Sequence, residues 1–397
     1  MSFEIPDHML EIRKRVQDFI ESRVYPVESQ LEERGGAEAR GVMKDLMEAA
    51  KREGLWALGH PKEIGGQGLP FLDYVYVNEV VGRSEYATVA LGTHSLQDSI
   101  MLKEFASDEW RERYLAPLVA GEIFPSFAMT EPDVASSDPT QLRTRAVLED
   151  GHWVIDGHKW FTSGADRAAY TTVMCRTEEG VPDHDAFSMI VVPTDTPGYR
   201  IVRDVRVMGH YGGHCEVRYE GVRVPKSHLL GPRGAGFRIA QRRLGPGRIF
   251  HCMRWLGQAQ RAYDLLCERA NERVAFGKPL GEHQQIQKFV FDSACEIQSA
   301  RMLTLHAAQK IDQGEEARVE IGLIKVMGAQ MLHNVIDRAI QVQGARGVTE
   351  DTPLEGMYRR ARFARIYDGP DEVHVMTTAR RILRAYQVGD GWDFGLR

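Results

Sequence analysis

The sequence IYDGPDEVH, residues 366–374, places a carboxylate directly before a turn and the start of a helix. Its β-branched first residue predicts an extended approach, Gly369 permits a tight turn, and Pro370 is favoured as the first residue of a helix that runs toward Arg384. Asp368 would then lie at the opening of a site and not in a core, beside the free N–H groups and the positive dipole end at the start of the helix. Such a carboxylate is a candidate general base, but Asp before Gly-Pro is also an ordinary helix N-cap or turn residue.

Length and composition predict a globular protein of two or three domains. The chain has 397 residues, of which 43% are hydrophobic, so it can bury a large core. The formal net charge is -6, with acids and bases mixed throughout, and this balance does not favour nucleic acid as a partner.

Cysteine usage and the N-terminus indicate the compartment. The five cysteines include no Cys-x-x-Cys pair and are odd in number, which fits a reducing compartment and no metal site. The N-terminus carries both acids and bases, unlike a signal peptide, and no apolar run approaches the roughly 20 residues that a membrane span needs. We therefore expect a cytoplasmic protein without a membrane span.

Hydrophobic periodicity predicts helices, then strands, then helices again. The period is helical from residue 5 to about residue 123, as in segments 42–53 and 73–84. Short alternating strands follow between residues 142 and 225, with hairpin signals at Asp150-Gly151 and Asp156-Gly157. The helical period then returns, and we expect helices over residues 241–271, 284–313, 320–343 and 370–386.

The predicted fold class is α+β with several domains. The long apolar stripes of the last helices suit a four-helix bundle, and the strands suit a small barrel or sandwich. The expected domains are an N-terminal helical domain over residues 1–125, a middle β-domain over residues 126–235, and a C-terminal helical bundle over residues 236–397.

Two motifs near the β-segment are suited to contact a flat polar ligand. The loop FAMTEPDVASSD, residues 127–138, carries hydroxyls and short polar groups that can donate to carbonyl or phosphate oxygens. The segment KWFTSG, residues 159–164, sets two aromatic side chains beside a threonine and a glycine, which can present a wall and a hydrogen bond to a ring system. The alternatives are a plain surface loop and ordinary core packing.

Two further motifs can bind phosphate or adenine. The segment RVAFGKPL, residues 273–280, is followed by His283-Gln284; it offers an Arg for phosphate, a Phe that can cover an adenine, and Gly277 to end a helix. The segment QVQGARG, residues 341–347, places glycines after a helix, where they can cradle a phosphate or merely end the helix. A surface ion pair and a core Phe are the alternatives for the first segment.

Taken in chain order, these motifs resemble those of the acyl-CoA dehydrogenase family of flavoproteins along essentially the whole chain. Two departures stand out, because most members carry Glu where this chain has Asp368, and Gly-Gly-Asn-Gly where it has GARG at residues 344–347. The combination of DGPDEVH with LGPGR at residues 244–248 resembles a branch that includes large animal members fused to a kinase-like domain. The expectation is that this chain corresponds to the dehydrogenase part alone.

The resemblance implies FAD as the cofactor and assigns roles by position. Asp368 falls at the position of the catalytic base. Flavin contacts are implied for Phe127, Met129, Thr130, Ser136, Trp160, Thr162, Arg273, Phe276, His283, Gln284, Gln341, Gly344, Ala345, Pro370 and Glu372. Substrate contacts are implied for Ser136, Leu244, Gly247, Arg248, Tyr367 and Gly369. Arg248 can order the base region or make a surface salt bridge, and His374 is expected to be structural.

The implied reaction is α,β-dehydrogenation of an acyl-CoA thioester to the trans-2-enoyl-CoA. Asp368 would remove the α-proton, the flavin would accept the β-hydride, and the electrons would pass to an electron-transfer flavoprotein. In the family, the Arg273 segment reaches the flavin of a neighbouring subunit, so a homodimer or homotetramer with a shared flavin site is expected. A nitroalkane-oxidase-like flavin oxidase and a non-catalytic acyl-CoA-binding homologue stay open as alternatives.

Overall fold

The computed structural model describes residues 5–32 and 37–394, except for the side chain of Leu244. The predicted substrate contact of Leu244 therefore lies outside the described residues. The chain forms two compact units, of which the first comprises Met1–Tyr25, Pro70–Ala87 and Gly245–Arg397, and the second comprises Pro26–Leu69 and Thr88–Leu244. The boundaries of the three expected domains stay a prediction.

Helices occupy both ends of the described chain. They are α1 (Asp7–Phe19), α2 (Glu28–Glu32), α3 (Ala37–Arg52), α4 (Phe71–Val81), α5 (Ala87–Ala90), α6 (Leu96–Phe105), α7 (Asp108–Trp110), α8 (Ala116–Ala120), α9 (Gly236–Glu272), α10 (Gln284–Asp312), α11 (Arg318–Gln343), α12 (Leu354–Phe363) and α13 (Asp371–Gln387). Within residues 5–32 and 37–394, no helix is long and apolar enough to cross a membrane.

Strands occupy the middle of the chain, and a short hairpin follows α9. They are β1 (Pro125–Ala128), β2 (Arg145–Glu149), β3 (His152–Ser163), β4 (Tyr170–Arg176), β5 (Phe187–Pro193), β6 (Tyr199–Val207), β7 (His210–Pro225), β8 (Leu229–Leu230), β9 (Val274–Ala275) and β10 (Lys278–Pro279). Strands β1 to β8 form one sheet in the order β6-β7-β3-β2-β4-β5-β8, with β1 also paired to β4. The predicted order of helices, sheet and helices is confirmed.

The core of the second unit lies on the sheet. Buried positions recur at every second residue over part of β3 and along most of the second half of β7, so one face of these strands can be buried. Trp153, Ile155, Val173, Ile190 and Tyr219 are almost completely buried in one cluster. This cluster supports the strand that carries the predicted flavin contacts Trp160 and Thr162.

In the first unit, α11 packs against α10, α12 and α13. The helices predicted at residues 284–313 and 320–343 are confirmed within two residues at each end, because their apolar stripes are long and continuous. Helix α9 begins five residues earlier than predicted and continues through Pro246. Ile297 and Ala300 of the α10 stripe are buried, whereas Ile286, Phe289 and Val290 are only half-buried.

Three local predictions are wrong. The approach to Asp368 is not extended, because α12 ends at Phe363 and residues 364–368 form a turn. Pro370 precedes α13 as its N-cap residue in an extended conformation, so the helix begins one residue later than predicted. Gly277 does not end a helix; it lies in the turn of the β9–β10 hairpin, where its φ is 81°.

The two predicted hairpins have different outcomes. Asp150 and Gly151 have φ values of 48° and 75° and join β2 to β3, as a tight two-residue turn requires. Asp156-Gly157 is not a turn, because both residues lie inside β3 at an irregularity in its pairing with β7. Gly157 is needed there for space, since a Cβ would lie 2.4 Å from the Thr144 hydroxyl oxygen.

Candidate active site

The turn between α12 and α13 holds Asp368 in a left-handed conformation, with φ at 54°. A non-glycine residue keeps such a conformation only where its surroundings fix it. Lys325 of α11 is fully buried, and its ammonium donates to the carbonyls of Ala364 at 2.7 Å and Gly369 at 3.2 Å. One buried cation therefore fixes both ends of the turn.

The backbone of Asp368 is anchored from two helices. Arg248 of α9 donates to the Asp368 carbonyl from Nε at 3.2 Å and from a terminal nitrogen at 3.1 Å. The same carbonyl accepts from Nε2 of His374 on α13 at 3.1 Å. Gly369 has a φ of 98°, and a Cβ there would lie 2.7 Å from Nε2 of His374. Arg248 thus orders the base region, and the residue after Asp368 must be glycine for two separate reasons.

The Asp368 carboxylate faces a histidine that the sequence interpretation missed. Nε2 of His251 lies 3.1 Å from Oδ2 of Asp368, and Nδ1 of His251 lies 2.9 Å from a guanidinium nitrogen of Arg254. The pKa of His251 is lowered by burial and by the Arg254 charge, against the opposing effect of Asp368. The side chains of His251 and Asp368 are 29% and 24% exposed, so a ligand can reach the pair.

Tyr367 forms a wall beside this pair. Its hydroxyl accepts a hydrogen bond from Nε1 of Trp255 at 2.8 Å. Burial, with a contribution from the Asp368 charge, raises the pKa of Tyr367 well above its usual range. Tyr367 therefore stays protonated at neutral pH. The ion pair between Arg365 and Asp371, at 2.7 Å, joins this turn to the first turn of α13.

In the second unit, the strand predicted to contact a flavin is locally irregular. Phe161 has a φ of 50°, and the pairing of β3 with β7 shifts between Lys159 and Thr162. The backbone N–H of Trp160 donates to the carbonyl of Thr130 at 3.0 Å, which joins this strand to the loop at residues 127–138. The Thr162 hydroxyl is buried and has no hydrogen-bond partner among the described residues.

A buried ion pair holds the loop at residues 127–138. The Glu131 carboxylate accepts from Lys159 at 2.9 Å and from the backbone N–H groups of Arg143 at 2.7 Å and Thr144 at 2.9 Å. Lys159 is fully buried and also donates to the carbonyl of Met129 at 2.8 Å. Ser136 accepts from the Glu131 N–H at 2.9 Å, so its hydroxyl closes the loop. Met129, Thr130 and Ser136 are thereby brought together.

The remaining predicted flavin contacts fall into separate groups on the first unit. Arg273 and Phe276 belong to the β9–β10 hairpin segment, and Nε2 of His283 reaches the Ala275 carbonyl at 3.1 Å. Phe276 is 98% exposed. The other predicted positions are exposed or half-buried, namely Gln284 at the start of α10, Gln341, Gly344 and Ala345 at the end of α11, and Pro370 and Glu372 at the start of α13. Gly247 lies in α9 beside Arg248, whereas Phe127 lies in β1 of the second unit.

These residues fit a flavin. A buried hydroxyl at Thr162 that lacks a protein partner needs a ligand atom or water, since an unsatisfied buried hydroxyl costs about 1–3 kcal/mol. An Arg and a fully exposed Phe on one hairpin suit a phosphate and an adenine. Among the described residues, no group of three His, Cys, Asp or Glu side chains is arranged to hold a metal ion.

Three family models match the chain in the expected order. The model of the acyl-CoA dehydrogenase N-terminal domain matches residues 6–122, that of the middle domain matches residues 126–222, and that of the C-terminal domain matches residues 234–383. The chain belongs to the acyl-CoA dehydrogenase family. The predicted resemblance and fold are thus confirmed, and so is FAD, the cofactor of this family of oxidoreductases.

Two relatives and one solved structure are similar to this chain over most of its length. It is 42% identical to the probable acyl-CoA dehydrogenase FadE2 of Mycobacterium tuberculosis, with 96% of both chains covered. It is 39% identical to acyl-CoA dehydrogenase family member 11 of Rattus norvegicus over 94% of this chain but only 50% of the rat protein. Butyryl-CoA dehydrogenase from Megasphaera elsdenii superposes with a TM-score of 0.86 at 27% identity, covering 97% of this chain and all of the other.

The residues that sequence interpretation missed are the partners of the predicted ones. His251 and Lys325 lie in no motif singled out from the sequence, and Glu131 and Lys159 lie in two separate motifs whose ion pair was not predicted. For His251 a signal existed, because it follows Arg248 by three positions and so shares a face of α9 with it. Lys325 lies within the apolar helix segment GLIKVMGA, residues 322–329, where an isolated lysine indicates a buried cation with a specific acceptor.

Proposed function

We propose that this acyl-CoA dehydrogenase oxidises an acyl-CoA thioester to the trans-2-enoyl-CoA, with Asp368 as the base that removes the α-proton. The observation that supports this proposal is the partly exposed carboxylate of Asp368 at the turn before α13. The backbone of this turn is held by Arg248, His374 and Lys325. A base must be held in a productive position, because proton transfer by a positioned side chain contributes about 10² to 10⁴ in rate. Bound FAD supplies the acceptor for the β-hydrogen and its electron pair.

The residues around Asp368 have distinct tasks in this proposal. The α C–H bond breaks, its proton passes to the Asp368 carboxylate, and its electrons form the new double bond as the β-hydrogen leaves as hydride. The backbone N–H of Asp368 holds the thioester carbonyl, where negative charge develops. Tyr367 is a wall of the acyl pocket and takes no proton, since burial raises its pKa. Asp is one methylene shorter than the usual Glu, so either the turn brings its backbone closer to the substrate or the reacting carbon lies deeper in the pocket.

The exposed apolar surface supports a homo-oligomer, either a dimer or a tetramer. Phe276 at 98%, Phe291 at 67% and Val274 at 59% exposure lie on the β9–β10 hairpin and on α10. Large exposed apolar side chains on adjoining segments are typical of interaction surfaces. We propose that the hairpin of one subunit covers the adenosine end of the flavin in another. The reduced enzyme would pass its electrons to an electron-transfer flavoprotein, and a cytoplasmic location stays a prediction.

Anaerobic titration of the FAD-loaded protein with a panel of acyl-CoA thioesters tests this proposal. Butyryl-CoA, octanoyl-CoA, a longer straight chain and a branched chain are the probes, and flavin absorbance is the readout. At least one thioester is expected to bleach the flavin and to be recovered as its enoyl-CoA. Flavin that nitroethane bleaches and no thioester does, together with oxygen consumption in a separate aerobic assay with nitroethane, would instead show a nitroalkane oxidase. Tight acyl-CoA binding without bleaching would show a non-catalytic homologue.

A further inference from the structure

Three side chains on one face of α9 contact the turn that carries Asp368. Arg248, His251 and Trp255 follow each other at intervals of three and four residues, the spacing that places side chains on one side of a helix. Arg248 contacts the Asp368 backbone, Trp255 contacts the Tyr367 hydroxyl, and His251 contacts the Asp368 carboxylate. His251 is therefore the α9 residue that touches the group assigned to proton removal.

The position of Arg254 determines which nitrogen of His251 carries the proton. A guanidinium has only donors, so the Arg254 nitrogen at 2.9 Å requires a lone pair on Nδ1 of His251. A neutral imidazole with a lone pair on Nδ1 carries its proton on Nε2. Nε2 is the atom 3.1 Å from Oδ2 of Asp368, and a carboxylate oxygen accepts a hydrogen bond. Arg254 thus donates a hydrogen bond to His251, and His251 donates one to Asp368.

This direction excludes His251 as a proton acceptor in the reaction. Its Nε2 already holds a proton, and its Nδ1 lone pair is occupied by Arg254. Protonation of His251 would place an N–H against the guanidinium, and burial together with the Arg254 charge lowers the pKa of His251. His251 therefore stays neutral at neutral pH and donates one hydrogen bond to one carboxylate oxygen.

We propose that His251, fixed as its Nε2–H tautomer by Arg254, is a positioning residue that orients the Asp368 carboxylate and keeps it ionised for removal of the α-proton. This inference rests on the proposed function of Asp368. The short side chain of Asp makes the orientation important, because it has one fewer rotatable bond than Glu with which to adjust. Oδ2 is the carboxylate oxygen that faces His251.

Several other groups share this environment and must be considered in any pH experiment. The titratable and charged groups that face the pair are Tyr74 of α4, Arg248, Cys252 and Arg254 of α9, Lys325 of α11, Tyr367 of the turn, and His374 of α13. Arg248 and Arg254 keep their charge through the neutral range. Burial lowers the pKa of Lys325, against the opposing effect of the Asp368 charge. Burial lowers the pKa of His374 to about 4, so it does not titrate near neutrality.

Two substitutions at His251 separate hydrogen bonding from packing. Gln can reproduce both contacts, because its amide NH₂ donates to Asp368 and its carbonyl oxygen accepts from Arg254. Phe keeps an aromatic ring and loses both contacts. We expect His251→Phe to lower the rate constant for flavin reduction about 10²-fold with KM for acyl-CoA little changed, and His251→Gln to recover most of that loss. The acidic limb of the kcat/KM pH profile should move to higher pH in His251→Phe only.

Arg254 tests the same inference without changing His251. In Arg254→Met the tautomer is no longer fixed and the imidazole can become charged, so activity should acquire a new dependence on pH near the ordinary histidine value. Arg254→Lys retains a cationic donor and should not acquire it. Full activity of His251→Phe with a wild-type pH profile, equal damage in His251→Gln and His251→Phe, or an unchanged profile in Arg254→Met would overturn the inference.

Two controls make these outcomes specific. His8 and Asp73 form a second His–carboxylate contact at 3.0 Å on the surface of the same unit, where His8 is 63% exposed. His8→Phe should leave all kinetic constants unchanged. Asp368→Asn is measured in parallel, because an active Asp368→Asn enzyme refutes the proposed function itself. An inactive Asp368→Asn beside a fully active His251→Phe refutes only the role of His251.

Discussion

Replacing Lys159 by Met should both destabilise the protein and release its flavin. The side chain of Lys159 is completely buried, with 0% exposure to solvent, and that of its partner Glu131 is 4% exposed. Removing one partner of a buried ion pair leaves a buried charge unpaired, which typically costs about 3–5 kcal/mol. The two backbone N–H groups that also bind Glu131 persist, so we expect the lower part of this range, about 3 kcal/mol. The loop that carries Met129 and Thr130 would lose its anchor at the same time.

Denaturant unfolding and FAD retention measure the two effects. The midpoint of urea unfolding, followed by circular dichroism, reports stability, and flavin absorbance after gel filtration reports cofactor content. A double-mutant cycle with Glu131→Gln is expected to show that the double variant costs less than the sum of the single ones, because no unpaired charge remains. Arg200→Met is the matched control, since Arg200 and Glu220 form an exposed pair at 2.9 Å on the same sheet, and solvent screening makes the loss of such a pair nearly neutral for stability. A Lys159→Met protein as stable as this control, with full FAD content, would refute the reasoning.

Three further predictions concern the same anchors. Gly369→Ala should lower activity and should lower the free energy of unfolding by about 1–3 kcal/mol, because φ is 98° and the new methyl would lie 2.7 Å from His374. A normal melting temperature and a normal rate would contradict this. Lys325→Met should lower the rate of flavin reduction more than it lowers FAD content, since it frees the carbonyls of Ala364 and Gly369; stopped-flow absorbance checks this. Burial raises the pKa of Glu131, but the Lys159 charge and hydrogen bonds outweigh it and leave that pKa below its ordinary value of 4.5. The stabilisation is therefore complete above pH 4.5 and is lost as pH falls below it, a dependence that Glu131→Gln should weaken in acid unfolding curves.

Local periodicity predicted most of the architecture. The stripes of α10 and α11 and the Asp150-Gly151 turn depend on neighbouring residues, so they can be read from the sequence alone. Helix α12 was missed because its ten residues include a glycine and several arginines and its apolar stripe is short. Its buried positions Leu354, Met357 and Ala361 do recur at helical spacing, which was the available signal.

The site could be predicted only in part, because motifs identify single residues and not their partners. Asp368 and Arg248 were found from their motifs, and the structure brings them together through the Asp368 carbonyl. The contact between His251 and Asp368 joins segments distant in sequence, and its only local signal is that His251 shares a face of α9 with Arg248. Asp156-Gly157 shows the converse error, since its dipeptide favours a turn but the space beside Thr144 required glycine inside a strand.

Anaerobic stopped-flow reduction of the bound flavin by acyl-CoA, compared between the wild-type protein and Asp368→Asn, tests the central claim most directly. Both proteins should carry FAD and bind the thioester, and Asp368→Asn should reduce the flavin about 10² to 10⁴ times more slowly. In the wild type, deuterium at the α-carbon of the thioester should slow the reduction. A variant that reduces FAD at the wild-type rate, with no effect of α-deuterium on either protein, would contradict the assignment of Asp368 as the base.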